Sequence, residues 1–111
     1  MAQSWRRGEL VVTDTIDTIA DGIAVRQPVP EALDDLKPLV DDMMLIDDRR
    51  ILHAMRALAH CAGLLSEPAG AAGLAVVLAH PKTFAGRDVA TVVCGSNMTR
   101  QQFSRWFAVS P

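Results

Sequence analysis

Apolar residues recur at helical spacing most clearly between Asp47 and Gly63. Ile51, Leu52, Met55, Leu58, Ala59 and Ala62 fall at relative positions 0, 1, 4, 7, 8 and 11, the period of an α-helix that buries one face. Asp47 stands ahead of this run as an N-cap, and Asp48 lies in the first turn, where negative charge meets the positive end of the helix dipole. Gly63 closes it, since glycine accepts the left-handed backbone on which many helices end. A second pattern covers Arg100 to Phe107, with Thr99 as N-cap and Phe103, Trp106 and Phe107 on one apolar face.

Other elements follow from punctuation. Gln3 to Arg7 reads as the last turn of a helix stopped by Gly8. Glu9 to Asp21 alternates irregularly and is rich in Thr and Asp, which predicts extended chain or loop. Pro30 suits the first turn of a helix running to about Lys37, with Glu31 at its positive end and Leu33 and Leu36 facing one way. Pro68 opens another helix that carries Leu74 to His80 and stops at Pro81. Gly70 and Gly73 each cost this helix roughly 1 kcal/mol of propensity. Close approach to a sheet is the expected offset. Phe84 to Asp88 then turns into Val89 to Val93, a five-residue apolar run that predicts a short strand buried on both faces. Met43 to Ile46 is a second short apolar run. A buried strand among helices belongs to a mainly parallel sheet, so the fold expected is α/β.

Composition narrows the class. Half of the 111 residues are apolar and only 5% are aromatic, a mix that suits α/β layers better than a β-sandwich. The length allows at most one domain. Net charge is −2 with scattered basic residues, unlike a nucleic-acid footprint. No apolar run reaches the roughly 18 residues of a membrane span. The amino terminus lacks the apolar core of a signal peptide. Cys61 and Cys94, far apart and without metal spacing, fit a reduced cytoplasmic interior.

Five places carry candidate chemistry. Asp34, Asp35, Asp41 and Asp42 are paired acids, but adjacent helical residues do not face each other, so a solvated face is expected rather than a metal site. His53 and His60 lack a third ligand and read as surface or edge residues. Gly22 sits among small and aliphatic residues, where it is either a turn glycine or a point of close backbone approach. Glu67 precedes the glycine-bearing helix, as a dipole partner or as a carboxylate turned into a site. Cys94-Gly95-Ser96-Asn97 follows the expected strand, at the edge where parallel sheets bind ligands. The plainer reading of that turn is a strand-to-helix connection with Cys94 as a small buried residue.

Four stretches, taken in order, resemble one family: Thr18 to Val25, Val40-Asp41-Asp42 before an apolar run, Glu67 to Gly73, and Val92 to Asn97. Together they are similar to the carboxyl-terminal part of the catalytic domain of the threonine/serine dehydratases. These are pyridoxal-phosphate lyases of the tryptophan-synthase-β-like fold, related to serine racemase. The resemblance covers residues 3 to 107. It implies a fragment of a mainly parallel, three-layer sheet with helices on both faces, and residues 1–111 as a single carboxyl-terminal piece. It implies that Cys94 faces the pyridine nitrogen of the cofactor, followed by Gly95, that the Gly22 backbone comes close to the ring, and that Glu67 lies near the site. Asn97 matches a structural asparagine closing the turn. Ser96 departs from the family, where a second glycine is usual. A thiol is a weak neutral donor and draws little electron density into the ring. That suits prompt loss of a β-hydroxyl from a hydroxy amino acid, the protein tuning the cofactor's electronics.

Such a lyase holds its cofactor on a lysine. Lys37 and Lys82 are the lysines of this sequence, and neither has the Ser/Asn-rich context of the family's residue. In the family that lysine and the phosphate and substrate loops precede the matched region, as does an acidic metal-binding turn. The resemblance therefore implies one wall of a pyridoxal-phosphate site without catalytic residues or metal ligands of its own. Two readings follow. In one, the chain is an enzyme piece completed by an amino-terminal partner chain or by oligomerisation. In the other, it is a non-catalytic ligand-binding or interaction module derived from the same fold.

Overall fold

A computed structural model of the protein describes residues 1–95 and 97–108. The chain divides into two compact units, Met1–Leu45 and Ile46–Pro111.

The first unit opens with α1, Ala2–Arg7, which ends as expected at Gly8 with φ 72° and the Gly8 N–H donating to the Ser4 carbonyl. Ser4 is fully buried, and its Oγ accepts from the Val11 N–H at 3.0 Å, which turns the departing chain back over α1. Residues 9–20 are irregular, in line with their Thr- and Asp-rich composition. The Thr13 N–H donates to the Arg26 carbonyl at 3.0 Å. Helix α2, Pro30–Leu36, starts on its proline and buries Leu33. It touches α1, and the Lys37 ammonium donates to the Gly8 carbonyl at 3.2 Å. Asp34, Asp35, Asp41 and Asp42 are all exposed, the solvated face that their spacing suggests.

The second unit is built on the pairing of α3, Asp48–Ala57, with α4, Pro68–Ala79. Asp47 caps α3, its carboxylate accepting from the Arg50 N–H at 3.0 Å. Ile51, Ala54, Met55 and Leu58 are buried on one side, and Ala71 and Ala75 of α4 on the other. His53 and His60 are exposed. The helical run does continue to Gly63, but it changes type: Leu58–Ala62 is a π turn. Its wider winding, i to i+5, breaks the phase of the apolar pattern, and Ala62 ends up exposed. A short helix α5, Pro81–Phe84, follows the break at His80. Helix α6, Arg100–Phe107, carries a full capping box between Thr99 and Gln102. The Arg56 Nε–H ties α3 to α6 by donating to the Trp106 carbonyl at 2.8 Å. Trp106 is buried while Phe103 stacks on Phe107 with ring centroids 4.9 Å apart.

One expectation is corrected. The predicted buried strand at Val89–Val93 is neither buried nor a strand: the described residues contain helices and irregular chain but no β-ladder. Val92 is 82% exposed, and Val89 and Val93 are exposed as well. The physical reason is the absence of a neighbour. A strand exists by exchanging hydrogen bonds with another strand, and no described segment lies alongside this one to do so. The three-layer sheet is thus not present within the described residues.

The caps make one stability expectation specific. Asp47→Ala removes the acceptor for the Arg50 N–H and lowers stability by about 1 kcal/mol, read as a shift of the urea midpoint at unchanged slope. No shift would mean that another group caps α3.

Candidate functional site

The glycines of α4 explain how the corner is made. Extended to a methyl, Gly70 would overlap the Cys94 carbonyl oxygen and stand 2.7 Å from the Cys94 nitrogen and 2.9 Å from its carbonyl carbon. At Gly73 the same methyl would come 3.2 Å from the Thr91 Cβ. The chain at 91–94 therefore runs against α4 in the opposite direction, backbone on backbone at Gly70 and side chain on backbone at Gly73. The propensity cost of two glycines within one helix is offset by this contact, as the sequence suggests, although the segment met is irregular rather than a strand.

The first turn of α4 adds a carboxylate. Glu67 is the N-cap position, with extended backbone (φ −71°, ψ 165°), but its side chain makes no capping hydrogen bond. Instead it folds over Gly95, whose φ of 76° lies in the left-handed region; the space a methyl on Gly95 would need is filled by the Glu67 side chain. The Glu67 N–H donates to the Gly95 carbonyl at 3.3 Å. Glu67 is half-buried, and Pro68 behind it is buried. Ser66 is fully buried, and its Oγ has no hydrogen-bond partner among the described residues.

Three of the sequence-derived site residues thus meet: Glu67, Cys94 and Gly95 form one corner at the amino end of α4. Cys94 is a free, exposed thiol rather than a small buried residue, so the plainer reading of this turn fails on exposure. Gly22 belongs to the first unit, where it is exposed within a 3₁₀ turn, Asp21–Ile23. It is a turn glycine there. Ser96, the departure from the family pattern, lies outside the described residues, and Asn97 is exposed. Sequence reasoning missed Gly70 as the seat of Cys94. The signal available was a glycine placed three residues into a helix next to alanines.

Chemically the corner offers an exposed thiol and a carboxylate at the positive end of a twelve-residue helix, beside a buried serine hydroxyl with no hydrogen-bond partner among the described residues. The exposed thiol fits the edge of a heteroaromatic ring, because it can hydrogen-bond a ring nitrogen. The two lysines are engaged or remote. The Lys37 ammonium lies 3.7 Å from Asp34 and donates to Gly8 in the first unit, and Lys82 is exposed on α5.

Comparison with known proteins bears on the same residues. The family model described as "pyridoxal-phosphate dependent enzyme" matches residues 1–95. The L-threonine ammonia-lyase of Thermotoga maritima is 34% identical over 105 residues, which cover 95% of this chain and 26% of that protein. The biosynthetic L-threonine dehydratase of Bacillus subtilis is 30% identical over 95 residues, covering 86% of this chain and 22% of that protein. Maize serine racemase superposes with a TM-score of 0.80 at 27% identity, over 94% of this chain and 34% of that one. The chain spans about a quarter of the length of these two curated relatives. Among the described residues, no helix is long and apolar enough to cross a membrane.

Proposed function

From the premise that the chain belongs to the family of pyridoxal-phosphate-dependent enzymes, we propose that it forms the carboxyl-terminal wall of the cofactor pocket in a threonine/serine ammonia-lyase. Residues 1–111 are then a single piece of that catalytic domain, acting in the cytoplasm on hydroxy amino acids. The observation that carries this reading is the corner itself: Glu67, Cys94 and Gly95 packed at the amino end of α4, with the thiol exposed.

Pyridoxal phosphate, when bound, would supply an electron sink for loss of the α-proton and the β-hydroxyl, together one water, from threonine; the free enamine left takes up a water and gives 2-oxobutyrate and ammonia. The chain's own residues supply placement. Cys94, at the end of the 89–93 segment, would offer a weak hydrogen-bond donor to the pyridine nitrogen of the cofactor. Gly95, with no side chain and a left-handed φ of 76°, lets the Glu67 side chain pack against the residue that follows Cys94. Glu67 closes the corner against Gly95. Val89–Val93 become a strand of a mainly parallel sheet, their bonding neighbours coming from the remainder of the domain. In this reading the remainder of the domain also supplies the lysine that would carry the cofactor.

The purified chain, supplied with pyridoxal phosphate and L-threonine or L-serine, releases neither 2-oxobutyrate nor pyruvate. Borohydride reduction in the presence of the cofactor leaves no phosphopyridoxyl adduct on Lys37 or Lys82 by mass spectrometry. Co-expression with the lysine-bearing segment of a relative restores oxo-acid release. Steady turnover by the chain alone, or an adduct confined to one of its lysines, counts against this division of labour.

A further inference from the structure

We propose that Gly70 is a positioning residue for Cys94: by presenting bare backbone in the first turn of α4, it sets where the thiol-bearing end of the 89–94 segment stands. The inference rests on the reading that Cys94 meets the pyridine nitrogen. Its geometric ground is separate. Of the two helix glycines that face the segment, Gly70 alone meets backbone, with the Cys94 carbonyl oxygen, nitrogen and carbonyl carbon all inside 3.0 Å of a would-be methyl. Gly73 meets only the side chain of Thr91, at 3.2 Å and 3.4 Å, and a side chain can turn aside. A methyl at Gly70 has no such escape. Either the Cys94 peptide lifts off α4 or the helix start moves, and the thiol moves with it. Glu67 holds the next residue from below through Gly95, so Cys94 is held from two sides by one helical turn. A group that must reach a fixed ring nitrogen is sensitive to displacements of about 1 Å, which is what separates positioning from general packing here.

The test compares the wild-type chain with Gly70→Ala and Gly73→Ala by NMR, using pyridoxine 5′-phosphate as probe. This probe has the ring and phosphate of the cofactor but no aldehyde to react with lysine. The wild type shows a cross-peak between a Gly70 α-proton and the Cys94 amide proton, and the probe shifts the Cys94 resonances. Gly70→Ala loses the cross-peak, shifts Cys94 and Gly95, and loses the probe response at Cys94. Gly73→Ala keeps all three. A folded Gly70→Ala with unmoved Cys94 and Gly95 resonances overturns the assignment, as does a wild type without the cross-peak. If Gly70→Ala does not fold, the wild type decides. There the probe must shift Gly70 and Cys94 along one binding curve, and a response at Cys94 without one at Gly70 overturns the proposal. A wild type with the cross-peak but no probe response at Cys94 fails differently. It removes the cofactor role of Cys94, and the positioning role with it, while leaving the packing contact intact.

Discussion

Met55→Ala lowers the free energy of unfolding by about 2–5 kcal/mol, the range for removing most of a long side chain from a closed site. Met55 is 0% exposed on α3 and faces the helix whose inner residues are Ala71, at 0%, and Ala75, at 1%. The opposing wall is therefore made of methyl groups, and nothing there can swing in to fill the void. Ile51, a turn earlier and 1% exposed, is β-branched and held by its own backbone. Small domains are stable by only about 5–15 kcal/mol, so the substitution removes a large share of the total. Urea unfolding followed by circular dichroism reads it as a lower midpoint at unchanged slope. A loss under about 1 kcal/mol would mean that α3 and α4 close up readily when the side chain goes.

Gly95→Ala has two separable costs. The left-handed φ of 76° penalises any L-side chain by roughly 1–2 kcal/mol. The methyl also needs the space that the Glu67 side chain occupies, and the carbons of that side chain are in the way as well as its carboxylate. A double-mutant cycle divides the two. Glu67→Ala relieves the collision but not the backbone strain, so the pair is more stable than the sum of the single changes predicts, by about 0.5–3 kcal/mol for groups in contact. Additivity within about 0.3 kcal/mol would show that Glu67 does not lie over Gly95 in solution.

The elements that could be read in advance are those whose signals are local. Pro30, Pro68, Asp47 and Thr99 start helices by backbone chemistry that needs no partner, and α2, α3, α4 and α6 begin where these residues say. Gly8 and Gly63 end theirs for the same reason. The burial of Ile51, Met55 and Leu58 follows from spacing alone. Ala54 is 0% exposed yet was absent from the apolar pattern, because alanine is buried by the neighbour it meets rather than by its own hydrophobicity. The π turn was invisible, since Leu58–Ala62 fits an α-helical period as well as a π one. Val89–Val93 failed for the opposite reason. Its composition is that of a strand, but pairing is a property of two segments, and the second is not among the described residues. At the corner, the motif pointed to Glu67, Cys94 and Gly95. That Gly70 meets backbone rather than side chain is a matter of distance, which no motif contains.

The bare run of valines also bears on how the chain survives in solution. Its amides and carbonyls from 89 to 93 find no partner in the described residues, and Val89, Val92 and Val93 are exposed. Any second copy that meets it can zip onto it, edge to edge. Loss of soluble material by that route grows with concentration and depends little on how firmly α3 and α4 hold together. Better caps or a tighter helix pair would not cure it. A lysine in place of Val92 or a polypeptide laid along the open seam would, which makes early capture by a binding strand as important to this molecule as its own folding.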